Sequence, residues 1–188
     1  MNLIIFGPPG AGKGTQADFI VNKYDLYKLS TGEVLRNEIK NKTELGKEIS
    51  SIINSGSLVS DDIVKKLVEI FISDKKYKNR LIFDGYPRNL IQANTLKELL
   101  SKHKQKIDLV IKLSVSLDTI KKRIIERRTL EKRADDSEEI AIKRYKTYEK
   151  STEPVIEYYK KLDLLKVIDG ERSIDQINKE ISDIITLI

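Results

Sequence analysis

Residues Gly7 to Thr15 read G-P-P-G-A-G-K-G-T, follow the apolar run Leu3-Ile4-Ile5-Phe6 and open an amphipathic stretch. Strand, glycine-rich turn, then helix is the order that a phosphate-binding loop needs. Glycines let backbone N–H groups crowd around phosphate oxygens, and the positive end of the following helix adds to them. Lys13 then reaches the terminal phosphates as a point charge. A match at Gly7, Gly12 and Lys13 alone is weak evidence; its position between a strand and a helix makes it specific. Residue 14 is Gly, where the general motif has Ser or Thr for magnesium, and Thr15 offers a hydroxyl one position late.

Outward from this loop, the bulk composition narrows the field. At 188 residues with 39% hydrophobic content, the chain suits one principal domain. No apolar run approaches the ~20 residues of a membrane span, so no membrane is expected as partner. The chain enters a strand directly after Met1, so no leader is expected. Absence of cysteine removes any disulfide framework, a single His leaves no zinc site of the usual kind, and the cytoplasm is the expected compartment.

The net charge of +6 points to anionic partners, and the choice of cation says more. Of 35 basic residues only nine are Arg, at 36, 80, 88, 123, 127, 128, 133, 144 and 172. Lysine is the default solubilising cation here, so each arginine asks for its own explanation. The planar guanidinium holds phosphate bidentately, which Lys cannot copy. Four arginines fall between 123 and 133, one follows the Asp84-Gly85-Tyr86-Pro87 turn, and one lies on a helix at 144. A nucleic-acid surface would instead spread Lys along helices with stacking aromatics between them, so no nucleic-acid partner is expected.

Strands are predicted at 2–6, 80–84, 108–113 and 164–168, with a weaker one near 27–29. Helices are predicted at 13–24, 31–41, 43–54, 60–73, 89–101, 116–128, 137–161 and 173–187. Thr43 precedes one helix, and Asp136-Ser137-Glu138-Glu139 reads as a capping box. Strands alternating with helices predict an α/β fold, a parallel doubly wound sheet flanked by helices. Ligands on such sheets bind beyond the C-terminal ends of the strands, so the glycine loop and Asp84–Arg88 should share one cleft. Residues 30–59 and 127–136 break the alternation. Both read either as ordinary insertions or as excursions that move independently of a core made of 1–29, 60–126 and 137–188.

Taken together, the pieces resemble an adenylate kinase of the short-lid form. They are G-P-P-G-A-G-K-G-T (7–15), L-S-T-G-E-V-L-R (29–36), G-S-L-V-S-D (56–61), F-D-G-Y-P-R-N-L-I-Q (83–92), R-I-I-E-R-R (123–128), R-A-D-D-S-E-E (133–139), Arg144 and I-D-G-E-R (168–172). The resemblance implies a P-loop fold with an acceptor-binding segment at 30–59 and a lid at 127–136. It also implies reversible transfer of the γ-phosphoryl group from MgATP to AMP, giving two ADP, with Mg2+ arriving on ATP and a monomer as the working form. Such chemistry needs alignment and charge neutralisation more than acid–base groups.

By matching position, the resemblance implies that Gly10, Ala11, Gly12, Lys13, Gly14 and Thr15 wrap the ATP phosphates. Arg123, Arg133 and Arg144 would surround the moving group, with Arg127 and Arg172 against the ATP base or ribose. Arg36 and Arg88 would hold the AMP phosphate, beside Gly85, Tyr86 and Pro87, and Asp84 would orient magnesium-bound water. Arg80 and Arg128 match no motif position and read as solvated. Asp135 and Asp136 read as helix caps, with pairing to arginines on lid closure as an addition implied by the family. The lid stretch Arg128-Thr129-Leu130-Glu131-Lys132 lacks the glycine common in short lids.

Acceptor choice rests on fewer residues. The Gln92 amide offers a donor and an acceptor that match N1 and the 6-amino group of adenine. An amide flips, so this match alone does not exclude other bases. Thr31 resembles the adenylate kinases, whereas the related UMP/CMP kinases usually have Ala. Asn89 is shared with UMP/CMP kinases and argues the other way. The backbone of Ser57, Leu58 and Val59 should border the same base. The alternatives are a UMP/CMP kinase of the same architecture and a nucleotide sensor without catalysis. The sensor would be expected to lack Lys13 or a clamp arginine.

Overall fold

In the computed structural model, which describes residues 1–131 and 137–188, the first apolar run is β1 (Leu3–Phe6), buried along its whole length. Successive side chains point to opposite faces of a strand, and here they enter two separate cores. Ile4 and Phe6 join one cluster, Leu3 and Ile5 the other. A strand that is apolar on both faces is stable only between two covering layers, so β1 lies mid-sheet. The order is β2 (Tyr27–Ser30), β3 (Leu81–Asp84), β1, β4 (Leu109–Ser114), β5 (Leu165–Asp169), and every pairing is parallel. The predicted doubly wound sheet is therefore present, including the weakly signalled strand after residue 26.

On the Leu3/Ile5 face lie α1 (Lys13–Tyr24) and α9 (Ile174–Thr186), contributing Ala17, Ile20, Ile177 and Ile181. On the other lie α4 (Asp61–Ser73), α5 (Leu90–Lys102) and α8 (Glu153–Lys161), contributing Val68, Leu96, Val155 and Ile156. Each such Val, Leu or Ile side chain stabilises the fold by roughly 2 kcal/mol relative to exposure. Two further helices, α2 (Thr31–Lys40) and α3 (Glu44–Asn54), lean on this second core through Leu35 and Ile49. A small third cluster joins α6 (Leu117–Glu131) to α7 (Glu138–Ser151) through Ile120, Ile124 and Ala141. Among the described residues no helix is long and apolar enough to cross a membrane.

Several sequence expectations are corrected. The single helix read over 137–161 is two, α7 and α8, with Thr152 between them. Pro154 sits in the first turn of α8, where its missing N–H costs nothing, whereas it would break a continuous helix. The helix expected to end at 128 runs on to Glu131, so the first five residues of the expected lid continue α6. Ser137 is the N-cap of α7, its hydroxyl accepting from the Ile140 N–H; Asp135 and Asp136 lie outside the described residues. Thr43 does cap α3, through Gly46 N–H at 3.0 Å.

Arg80 is not merely solvated. Its Nε and Nη2 donate to the Asp25 carbonyl at 2.9 and 2.7 Å, its guanidinium pairs with the Asp25 carboxylate, and it lies 4.8 Å from the Tyr27 ring centroid. Asp25 closes α1 in the left-handed conformation (φ 52°). Arg80 thus ties the end of α1 to the start of β3.

Candidate active site

All strands being parallel, their C-terminal ends share one edge of the sheet. Ile5 stands in register with Asp84, so the loops following β1 and β3 leave that edge side by side. The first is the glycine loop. Gly12 is the N-cap of α1 at φ 90°, a left-handed conformation that a side chain would strain. Among the described α-helices, α1 alone has neither a side-chain cap nor an acidic residue in its first turn. Its first N–H groups are thus left to an external anion.

Lys13 folds back over this loop, donating to the Gly7 and Pro8 carbonyls at 2.8 and 3.1 Å. Burial, chiefly, pushes its pKa down to about 8, and the Arg88, Arg144 and Arg127 charges push the same way against the pull of Asp84. A lysine held in that state gains from an arriving polyanion. Asp84, buried at the end of β3, accepts from the Ser30 hydroxyl at 3.2 Å.

The loop opens into a cleft of about 590 Å³ lined by Gly10, Gly12, Lys13, Gly14 and Thr15 on one side. Asp84, Gly85, Arg88 and Arg36 line another side, and Arg123, Arg127 and Arg144 approach from α6 and α7. Arg123 is braced by donating to the Gly170 and Ala11 carbonyls at 3.0 and 3.4 Å. Opening from the cleft is a second pocket between α2 and the loop after α3. Thr31, Arg36, Ser57, Leu58 and Val59 line it, with Gly85, Arg88, Gln92 and Arg144. Arg36, Arg88 and Arg144 border both spaces. A further chamber of about 80 Å³ is lined by Phe6, Pro9, Pro87 and Tyr148, again with Lys13, Arg88 and Arg144.

Supporting contacts order this pocket. The Thr31 hydroxyl donates to the Gly85 carbonyl at 3.0 Å, and Arg88 Nε donates to the same oxygen at 2.7 Å. The Thr152 hydroxyl at the α7–α8 break donates to the Arg88 carbonyl at 3.0 Å. Lys143 on α7 donates to the Ser55 carbonyl and the Ser57 hydroxyl at 2.7 and 3.2 Å. Tyr86 is buried behind Gln92, donating its hydroxyl to the Gln92 carbonyl at 3.2 Å; burial and then the nearby Asp61 charge raise its pKa.

The predicted site residues thus converge, with stated exceptions. Ala11 and Tyr86 are buried beneath the site. Arg172 pairs with Glu180 and lies 3.9 Å from Asp169, and does not line the cleft described. Arg133 lies outside the described residues. Sequence reading gave no role to Asp61, although it closes the 56–61 motif. Its carboxylate accepts from Gln92 Nε2 at 2.7 Å and Asn89 Nδ2 at 3.0 Å. An acid at a helix start reads as a dipole partner, which conceals a contact made across 31 residues of sequence. Asn89, read as a cue toward pyrimidines, is the N-cap of α5, accepting from Gln92 N–H at 2.8 Å. Asn89 thus serves the helix and also holds Asp61.

Chemically, the arrangement offers a helix N-terminus, a lysine and a ring of guanidinium groups to phosphates entering from two sides. Comparison with known proteins agrees with that geometry. The adenylate kinase family model matches residues 5–164. The chain is 46% identical to an adenylate kinase of Pelagibacter ubique, covering 98% of this chain and 99% of the relative. It is 42% identical to one of Prochlorococcus marinus and 41% identical to one of Fusobacterium nucleatum, each over 96% of both chains. The glycine loop, the arginine-lined cleft and the pocket opening from it are those of a protein that belongs to the adenylate kinase family.

Proposed function

We propose that this chain transfers the γ-phosphoryl group of MgATP reversibly to AMP, giving two ADP. The observation that carries the reading is that Arg36, Arg88 and Arg144 all border both the glycine-loop cleft and the pocket opening from it. Two phosphate-bearing ligands entering from opposite sides would meet over these guanidinium groups. An AMP phosphate oxygen would attack the γ-phosphorus in line while the bond to the ADP oxygen breaks, with Lys13, Arg123 and Arg144 neutralising the equatorial oxygens. Gly10, Gly12, Gly14 and Thr15 would cradle the β and γ phosphates. Arg127 would lie against the ATP nucleoside, and Arg172 near the adenine once released from Glu180. Arg133 would complete the ring of arginines from the lid.

Acceptor binding follows from the second pocket. Arg36 and Arg88 would clamp the AMP phosphate, while Thr31, Ser57, Leu58, Val59, Gly85 and Gln92 would enclose its nucleoside, Tyr86 and Pro87 shaping the loop behind. Mg2+ belongs to the ATP substrate. No group of three or more His, Asp or Glu among the described residues could hold a resident metal. A lone buried carboxylate, Asp84, suits a hydrated ion that keeps most of its water and its phosphate ligands. Residues 30–59 and 127–136 would close over the two nucleotides, excluding water, around a core of 1–29, 60–126 and 137–188. The working form would be a monomer in the cytoplasm.

The test is ADP formation from MgATP with AMP, UMP, CMP and GMP offered separately. Strong preference for AMP is the expected result. Preference for UMP or CMP would overturn the reading of the acceptor pocket, and no turnover despite ATP binding would overturn the reading as an enzyme.

A further inference from the structure

Gln92 alone does not choose a base, because a carboxamide turned through half a circle exchanges its donor and acceptor. The surroundings of this amide settle which way it faces. Oε1 accepts from the Arg88 backbone N–H at 2.8 Å, and Nε2 donates to Asp61 Oδ1 at 2.7 Å. Both partners are one-way groups. A backbone N–H only donates and an ionised carboxylate only accepts, so the reversed amide would face donor against donor and oxygen against oxygen. Gln92 is 3% exposed, which makes such mismatches costly.

Asp61 is itself held. Asn89 Nδ2 donates to the same Oδ1 at 3.0 Å, and Asn89 caps the helix that carries Gln92. The carboxylate lies in the first turn of α4, where the helix dipole favours its charge. Asp61, Asn89 and Gln92 therefore form a closed triangle at the back of the acceptor pocket. Each amide heteroatom of Gln92 keeps one hydrogen-bonding position beyond these contacts, and the residue lines the pocket.

We infer that Asp61 is a specificity-determining positioning residue: by locking the Gln92 amide, it selects a 6-aminopurine over a 6-oxopurine monophosphate. The inference rests on the proposed use of AMP. With the amide locked, Oε1 presents an acceptor to the 6-amino group and Nε2 presents a donor to N1. A 6-oxopurine carries an acceptor at position 6 and an N–H at position 1, and would need the reversed amide. Its rejection comes from the two one-way partners behind Gln92, not from Gln92 itself. This is discrimination by a built-in mismatch against the wrong ligand.

The experiment compares kcat/KM for AMP and for inosine 5′-monophosphate, which differ in the 6-substituent and the N1 proton. It uses the wild type, Asp61→Asn and Asp61→Ala, with Asp62→Asn as control for the loss of a first-turn charge. Asn at 61 can donate to a reversed Gln92, and Ala removes the Asp61 half of the mismatch, while the Arg88 N–H keeps its half in both variants. Both variants should lower the AMP-to-inosine-monophosphate ratio about tenfold or more, the loss of one charged hydrogen bond's worth of discrimination. The KM for ATP should stay unchanged, and Asp62→Asn should leave the ratio unchanged.

A ratio unchanged in both Asp61 variants, with AMP still phosphorylated, would overturn the inference and leave the proposed function standing. A wild type that phosphorylates no AMP would remove both. Independently of any variant, one Nε2 proton of Gln92 in nucleotide-free wild type should be shifted downfield and protected from exchange with water, as a donor held by Asp61 would be. Both Nε2 protons at the shift and water-exchange rate of a free glutamine amide would overturn the lock even if the variants failed to fold.

Discussion

Arg88 shows most directly what a single residue is asked to do. Its Nε is committed to the Gly85 carbonyl, which orients the plane of the guanidinium at the junction of the two ligand spaces. Arg88→Lys keeps the charge and loses both that brace and the bidentate fork. The expected outcome is a fall of roughly a hundredfold or more in kcat/KM for AMP, with the KM for ATP unchanged, read by steady-state kinetics. Lys13 gives a second residue-scale prediction. Its pKa of about 8 should rise when ATP phosphates arrive, so binding at pH 8 should take up about half a proton. Calorimetry of ATP binding without acceptor, in buffers of different ionisation heat, measures this uptake, and Lys13→Met should abolish it. The sign for folding runs the other way. An unfolded lysine titrates at 10.5, so between pH 8 and 10.5 the unfolded chain holds more protons and the penalty of burying Lys13 fades as pH rises.

Elements, more than residues, explain what could and could not be read from the chain. The sheet and most helices were legible because β1, β3 and β4 are short, apolar and regularly followed by helical periodicity. The arginines that line the cleft stand out in the sequence because lysine does the routine work elsewhere. The α7–α8 break is also written in the sequence, at Pro154, but the polar pattern on either side stays helical and conceals it. By contrast, Arg80 and Asp61 act across gaps of 55 and 31 residues, and neither partner leaves a local trace. Arg80 changes one expectation outright. Arg80→Lys, silent on the sequence reading, should now lower stability by about 1 kcal/mol through the lost bidentate link to the Asp25 carbonyl. Kinetic constants should stay as in wild type; denaturant melts and steady-state assays together check the split.

On the scale of the whole molecule, the fold delivers one cleft from three directions: the sheet edge, the α2–α3 excursion and the α6–α7 pair. Lys143 links the last two, since its ammonium on α7 donates to Ser55 and Ser57 at the end of α3. The same stretch of α7 carries Arg144, so this link sets how closely that guanidinium stands to the pocket between α2 and the loop after α3. Because the contact is exposed, its worth is about 1 kcal/mol or less. Lys143→Met should therefore raise the KM for AMP by at most about fivefold, with the KM for ATP unchanged. Equal change in both constants would mean that α7 and the excursion are not coupled through Lys143.

The uncapped start of α1 has a consequence outside catalysis. A helix end left for an anion, above a lysine kept short of its usual proton affinity, describes a protein that is incomplete without its nucleotide. Ligand at a hundred times its dissociation constant adds about 2.7 kcal/mol to the folded state. In a cell, the lifetime of this chain would then follow the adenine nucleotide pool: well protected when the pool is full, and first exposed to proteases when it runs down.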